Sequence, residues 1–257
     1  MPFTAAHPAM ILPIKARWPK YFSLTALVVG SMAPDFEFFI RFYPLRGPGH
    51  TLLGSLYFNL PLVFLTALLF HYVVKKPLIY CLPGSLGSRF YAMAGDRWSI
   101  ATPRNFLVFT YSALAGMLTH FFLDAFTHPL QMFRDLAPVL MSHLFTIRFY
   151  GAEYKVPAHN AIHLAVTAIG LGVILYYIMK LKPAAAGEKR RIGQLFKWAY
   201  WGFGLALAVA ITVLRTIQIR GRPGIGFFEH YGVTFLSGLI LGFLAVSLVY
   251  RAFREFR

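Results

Sequence analysis

A short line of polar residues interrupts one long apolar segment of the sequence. The run THFFLDAFTH contains His120, Asp124 and His128. Residues four positions apart lie on the same face of a helix, so these three side chains would form one stripe along it. Imidazole and carboxylate at this spacing can bind one divalent ion, as the two histidines of the H-E-x-x-H motif do. The alternative is a hydrogen-bonded structural cluster between helices, but three residues in register favour a metal or catalytic site.

A second ionisable group follows the first apolar run, in the sequence APDFE. Asp35 and Glu37 flank Phe36 there. Pro34 disfavours helical geometry at the residue before it, so we expect a kink at this point. Two carboxylates directly after an apolar run are unusual for a solvated loop, and they could bind a metal or accept a proton. The alternative role of Asp35 is to cap the N-terminus of a helix, which does not exclude metal binding.

His7 can reach the depth of these carboxylates if the N-terminal segment forms a helical hairpin. We expect a short helix over residues 8–17, a turn at Trp18-Pro19-Lys20, and a second helix that runs back. At the helical rise per residue, His7 and Asp35 would both lie about 16–21 Å from the turn. For His7 alone, a surface position in a mobile tail is an equally good alternative.

The polar stripe of the later helix lies at a comparable depth. Counted from Arg104, His120 lies about 24 Å and Asp124 about 30 Å from the same membrane face. His50 precedes the next apolar run, beside a Gly-Pro-Gly loop that could fold inward. We therefore expect the histidines and carboxylates to converge in the outer half of the membrane.

The composition indicates that the elements carrying these residues cross a membrane. Of 257 residues, 58% are hydrophobic and only 13% are charged, whereas a soluble domain is about 25% charged. A net charge of +16 could suggest a nucleic-acid partner. The basic residues lie mainly between long apolar runs, however, which membrane topology explains better, so we expect no nucleic-acid binding.

The apolar runs predict an all-α, polytopic transmembrane helix bundle of about six spans, with a short N-terminal helical hairpin. Five stretches without charged residues approach or meet the length of about 20 residues that a spanning helix needs; they are Thr51–Val74, Asn105–Leu123, Val156–Met179, Trp198–Leu214 and His230–Tyr250. A sixth, shorter run over Tyr21–Pro34 regains apolar character through Phe36–Ile40. We expect a single integral membrane domain over residues 1–257, with the motifs in 1–180 and two additional spans in 181–257.

The basic residues predict the orientation of these spans. With six spans, 17 of the Lys and Arg residues lie on the side of the N-terminus and 8 lie on the opposite side. Because cytoplasmic loops carry the excess of positive charge, we expect both termini to be cytoplasmic. The protein would then be an integral, multi-pass protein of the cell's inner membrane.

Four segments carry a resemblance to known families: MPFTAAHPAMILP, GSMAPDFEFFIR, HTLLG and HFFLDAFTH. Together they resemble an uncharacterised family of bacterial multi-pass membrane proteins, a domain-of-unknown-function family, over about the first 180 residues. Their order is also similar to that of inner-membrane metal-dependent hydrolases and, more faintly, of zinc-dependent phospholipase C. The resemblance implies a metal site among His7, Asp35, Glu37, His50, His120, Asp124 and His128. Glu37 replaces a second Asp of the hydrolase pattern, and His50 stands alone where that pattern has an H-R-x-x-H-S run, so the number of ions is open.

These observations predict a membrane-embedded metal-dependent hydrolase that acts on a lipid ester or phosphoester. Mixed nitrogen and oxygen donors suit zinc, as one or two ions, with manganese and iron as alternatives. The metal would lower the pKa of a bound water to about 7, and Glu37 or Asp35 would accept its proton. Membrane lipid would be both solvent and substrate, with Arg41, Arg46 and Arg134 holding a phosphate headgroup. Each arginine taken alone is explained better by snorkelling to the interface.

Two functions of other classes stay open. A six-span divalent cation transporter is one, because an H-x-x-x-D helix resembles the cation-diffusion facilitators; no second such motif occurs in a later span. A non-catalytic membrane scaffold is the other, and metal content after purification distinguishes it. The oligomeric state is not predicted.

Overall fold

The computed structural model describes residues 3–127, 138–149, 152–184, 193–218 and 227–255. Two predicted site residues, His128 and Arg134, lie outside these ranges. The described chain is almost entirely helical, as predicted. The exception is an antiparallel hairpin of two strands, β1 (His143–Phe149) and β2 (Ala152–Pro157), in a connection for which the sequence predicted no strand.

The N-terminal segment folds into short helices that form the predicted hairpin. A 3₁₀ turn and helix α1 pack against α2, and a second 3₁₀ turn leads from α2 into α3. These elements are the turn Thr4–Met10, α1 (Ile11–Arg17), α2 (Leu24–Met32), the turn Ala33–Asp35 and α3 (Phe36–Arg41). Ser23 caps α2 by accepting a hydrogen bond from the Ala26 amide. The second turn contains Pro34, and the α-helix ends there as predicted, but Ala33 keeps helical dihedral angles (φ −60°, ψ −36°), contrary to the expectation for a residue before proline.

Among the described residues, five helices are long and apolar enough to cross a membrane. They are α4 (Leu52–Cys81), α6 (Pro103–Thr127), α7 (Ala158–Lys180), α8 (Gln194–Gln218) and α9 (Phe227–Glu255), whose candidate span is His230–Ala252. The shorter α5 (Gly84–Gly95) lies between α4 and α6. The five charge-free stretches correspond to these helices, and α2 with α3 corresponds to the sixth run. The protein is therefore a multi-pass helical membrane protein.

The first of two compact units comprises Met1–Pro34 and Ala101–Ile178. Within it, α2 packs against α6 at a very short distance because small residues face each other. A Cβ atom added to Gly116 would lie 2.5 Å from the backbone oxygen of Leu27, and one added to Gly30 would overlap the carbonyl of Ala113. This close approach brings the backbone of α2 against the polar stripe of α6.

The second unit comprises Asp35–Ile100 and Met179–Arg257. Its helices α8 and α9 also meet through small residues, since a Cβ atom added to Gly242 would lie 2.8 Å from the Cα of Gly204. The indole nitrogen of Trp201 in α8 donates to the carbonyl of Cys81 at the end of α4, at 2.8 Å. These contacts hold α4, α8 and α9 together in this unit.

Candidate metal centre

His120 and Asp124 lie one turn apart in α6, as their spacing predicts, and both are buried. His120 Nδ1 lies 2.8 Å from the carbonyl oxygen of Ser31. A carbonyl only accepts hydrogen bonds, so Nδ1 carries the hydrogen and donates it. In the neutral ring, Nε2 then presents its lone pair, and it lies 3.7 Å from Asp124 Oδ2. The imidazole is thus in the tautomer that a metal ligand requires.

His7 joins these two residues from the 3₁₀ turn Thr4–Met10. Its ring stacks on that of His120, with centroids 4.0 Å apart and planes inclined by 15°. The side chain is completely buried, and neither ring nitrogen forms a hydrogen bond within the described parts of the chain. His7 Nε2 lies 3.9 Å from Asp124 Oδ1. His7 is therefore a buried member of the cluster and not a surface residue.

The Asp124 carboxylate faces the two imidazoles with one oxygen each, at distances longer than hydrogen bonds. Separations of 3.7 and 3.9 Å exceed hydrogen-bond length. Two ligand atoms bound at about 2.0–2.2 Å to a tetrahedral ion lie about 3.3–3.6 Å apart, so both imidazoles would have to move slightly closer to Asp124 to share one ion. His7, His120 and Asp124 supply two nitrogens and one carboxylate, the kind of three-residue set that leaves a fourth position open in catalytic zinc sites. The donor set therefore fits zinc.

The backbone around this cluster is held by contacts that the sequence prediction missed. The Ser31 carbonyl is the outer partner that orients His120, in the manner usual for metal-binding histidines. The Lys15 ammonium donates to the carbonyls of Pro19 and Phe22, which closes the turn between α1 and α2. Burial lowers the pKa of Lys15 below its ordinary value. The small residues around Gly30 in α2 are the feature of the sequence that could have predicted the close contact with α6.

Asp35, Glu37 and His50 form a second buried cluster, in the second unit. His50 Nδ1 lies 2.9 Å from Glu37 Oε1, and His50 Nε2 lies 3.3 Å from Asp35 Oδ1. The imidazole ring also stacks on Phe38, with centroids 5.0 Å apart. One imidazole thus lies between the two carboxylates that flank Phe36 in the sequence, and it is hydrogen-bonded to Glu37.

Glu37 is held in place from several directions. The Gly47 amide donates to Glu37 Oε1 at 2.8 Å, and an Arg41 guanidinium nitrogen lies 3.7 Å from Oε2. A Cβ atom on Gly47 would lie 2.6 Å from Oε2, so any larger residue there would displace the carboxylate. A carboxylate that accepts from a histidine Nδ1 orients the ring and leaves Nε2 to a metal. Asp35 and His50 Nε2 are accordingly the pair in this cluster that could bind an ion.

The loop that carries His50 is anchored to the start of α4. Asn59 Nδ2 donates to the carbonyl of Gly49 at 2.7 Å, and the Thr51 hydroxyl donates to that of Pro48 at 2.9 Å. Asn59 belongs to a π-helical turn, Ser55–Asn59, of a type often found at functional sites. These contacts fix the backbone on both sides of His50.

The predicted site residues thus fall into two groups, one in each unit. His7, His120 and Asp124 are brought together in the first; Asp35, Glu37 and His50 are brought together in the second, with Arg41 beside them. Arg46 lies exposed in the loop before His50. The prediction that both groups serve one centre stays a prediction, as do the phosphate-binding roles of Arg41 and Arg46.

Comparison with known proteins identifies a family and no activity. No curated protein sequence and no solved structure is significantly similar to this chain. One family model matches residues 1–248, which include every motif described above and extend beyond the first 180 residues into the last spans. The chain therefore belongs to the family described as a domain of unknown function, DUF4184.

Proposed function

We propose that this protein is a membrane-embedded, metal-dependent hydrolase that acts on a lipid ester or phosphoester. The observation that carries the proposal is the buried cluster of His7, His120 and Asp124, two of them on the apolar helix α6. Ionisable residues at membrane depth are costly and usually belong to a functional site. A bound cation would compensate the burial of the Asp124 carboxylate and occupy the imidazole lone pairs.

Zinc is the ion that this donor set supports best, with manganese and iron as alternatives. One ion at His7, His120 and Asp124 is the minimal stoichiometry. Asp35 and His50 provide a further ligand pair, and the sequence adds His128, so two ions per chain are also compatible with the donors present. A bound ion would supply Lewis acidity and lower the pKa of a coordinated water to about 7.

The proton of the attacking water is assigned to Glu37 or Asp35. Glu37 Oε1 and His50 Nδ1 are 2.9 Å apart, a distance over which a proton can pass between carboxylate and imidazole. His50 Nε2 faces Asp35 in turn. Glu37 and His50 therefore form a buried hydrogen-bonded pair that can take up one proton and hold it.

The surroundings of Glu37 also support a charged, phosphate-bearing substrate. The Arg41 side chain is 39% exposed while its guanidinium lies 3.7 Å from Glu37. A cation that is both exposed and beside the proposed base can hold a phosphate group near the reacting bond. Arg46, on the following loop, and Arg134, from the sequence alone, are assigned the same role. Membrane lipid is the substrate class that such a site would meet most often.

The membrane in which the protein lies and its orientation there are part of the same proposal. From the excess of Lys and Arg on the side of the N-terminus we infer that both termini are cytoplasmic, and we assign the protein to a bacterial inner membrane. The polar clusters would then lie toward the outer half of the bilayer.

A divalent cation transporter is the second candidate. His7 and His120 are completely buried, and Asp124 lies in the same spanning helix as His120. Buried ionisable residues of this kind are also typical of a binding site along an ion pathway. A structural cluster in a membrane scaffold is the remaining alternative.

A lipid-hydrolysis screen separates these functions. Purified, zinc-loaded protein in mixed micelles is offered glycerophospholipids and neutral lipid esters, with metal-chelated protein as the control. Zinc-dependent release of a fatty acid or a phosphorylated headgroup supports the hydrolase. No cleavage, together with Zn²⁺ uptake into proteoliposomes, supports the transporter, and neither activity supports the scaffold.

A further inference from the structure

A cavity of about 550 Å³ lies within the second unit, and no residue of either polar cluster lines it. It is lined by the last part of α4, by the segment 95–99 that follows α5, and by the C-terminal part of α9. Cavities that bind small molecules usually measure about 300–1,000 Å³. This one is therefore large enough for a ligand of more than a few atoms.

The charge of the cavity wall is positive. Lys76, Arg97 and Arg251 line it, against the single carboxylate of Asp96. All three cations are exposed. Asp96 contributes its backbone carbonyl to a hydrogen bond from Lys75 Nζ, at 3.0 Å, which ties the segment to α4. The wall is thus built to attract an anion.

Aromatic side chains give the cavity a fixed shape. The ring of His71 stacks on Trp98, with centroids 4.3 Å apart and planes inclined by only 2°. The Tyr72 hydroxyl donates to the Trp98 carbonyl at 3.4 Å. His71 and Tyr72 both belong to the π-helical turn Phe70–Val74, a local geometry that often marks functional sites. Tyr80 completes the wall one turn beyond Lys76.

We propose that this cavity binds a phosphate ester, such as the headgroup of an anionic phospholipid. The guanidinium groups of Arg97 and Arg251 match pairs of phosphate oxygens, and Lys76 adds a point charge. Basic pockets between spanning helices on the cytoplasmic side bind acidic lipid headgroups, and Tyr and Trp are typical of the membrane interface. The proposal is independent of metal chemistry, because none of the candidate ligands lines the cavity.

The binding test uses purified full-length protein in a nonionic detergent and native mass spectrometry. Three ligands are titrated: phosphatidylglycerol, phosphatidylcholine and glycerol phosphate. We expect bound phosphatidylglycerol in clear excess over phosphatidylcholine. Retention of glycerol phosphate at similar concentrations identifies a soluble phosphate ester as the ligand; its absence identifies the intact lipid. Equal retention of both phospholipids, without glycerol phosphate, overturns the proposal.

Variants locate the binding to the cavity. Arg97→Gln and Arg251→Gln should each weaken retention of the anionic ligand about fivefold, with unchanged elution in size-exclusion chromatography. The matched controls, Arg104→Gln and Lys182→Gln, remove exposed cations outside the cavity wall, and they should leave retention unchanged. An equal loss in the control variants means that general surface charge is responsible, and the site is then rejected.

Discussion

The Nδ1 atom of His120 donates a hydrogen bond of 2.8 Å to the carbonyl oxygen of Ser31. This contact joins α6 to α2 and turns the Nε2 lone pair of the same ring toward Asp124. It exists because Gly30 and Gly116 let the two backbones approach closely. The candidate metal centre therefore depends on helix packing as much as on its ligands.

Replacement of Gly116 by alanine should disturb this packing. The new Cβ atom would lie 2.5 Å from the Leu27 carbonyl oxygen, and backbone has little freedom to move. We expect a loss of about 1–3 kcal/mol in stability and a lower metal content, measured by thermal unfolding and elemental analysis. Gly172→Ala is the control, because no atom lies within 4 Å of a Cβ atom there. Equal behaviour of the two variants would contradict the close contact of α2 and α6.

Glu37→Gln tests the proposed base. Glutamine keeps the size of the side chain and its hydrogen-bonding capacity but cannot take up the proton. Loss of a general base costs about 10²–10⁴-fold in rate, so turnover of the lipid substrate should fall by that factor while metal content is unchanged. Glu153→Gln, at an exposed position of β2, is the control. Wild-type turnover by Glu37→Gln would remove Glu37 from the chemistry.

Arg41→Ala tests the recognition of substrate phosphate. The guanidinium is partly exposed and faces Glu37, so its loss should raise KM more than it lowers kcat, since its role is to hold charge. The effect should vanish for neutral lipid esters. Steady-state kinetics with both substrate types measure it, and the exposed Arg104→Ala is the control. A purely kcat-lowering effect would assign Arg41 to the positioning of Glu37 instead.

The orientation in the membrane is tested with topology reporters. A reporter inserted after Lys182 should be cytoplasmic and one after Ser142 should be on the outer side, because Lys and Arg accumulate on the side of the N-terminus. Accessibility labelling of cysteines at the same positions provides an independent readout. The reverse pattern at both positions would place the clusters toward the cytoplasm.

Local patterns in the sequence predicted much of this arrangement. The four-residue spacing put His120 and Asp124 on one face of a helix, and Pro34 predicted the break between α2 and α3. Apolar length predicted the spanning helices. In each case the physical cause is confined to neighbouring residues.

Contacts between distant segments were less accessible to prediction. The stacking of His7 on His120 joins residues more than a hundred positions apart. The strands 143–149 and 152–157 could have been predicted, because residues 145–149 and 152–156 alternate between apolar and polar side chains. The Gly47 amide that holds Glu37, in contrast, depends on the path of a loop. Such features follow from packing and chain path, which composition and spacing do not encode directly.

The metal content of purified protein tests the central claim most directly. Wild type should carry about one or two equivalents of a transition metal, with zinc preferred. His120→Ala and Asp124→Ala should each lose most of it, because each removes one of three ligands, while His71→Ala, which alters a histidine outside both clusters, should retain it. Two results would contradict a metal centre at His7, His120 and Asp124. One is wild-type protein that holds no metal after purification and dialysis against zinc; the other is full metal occupancy in both ligand variants.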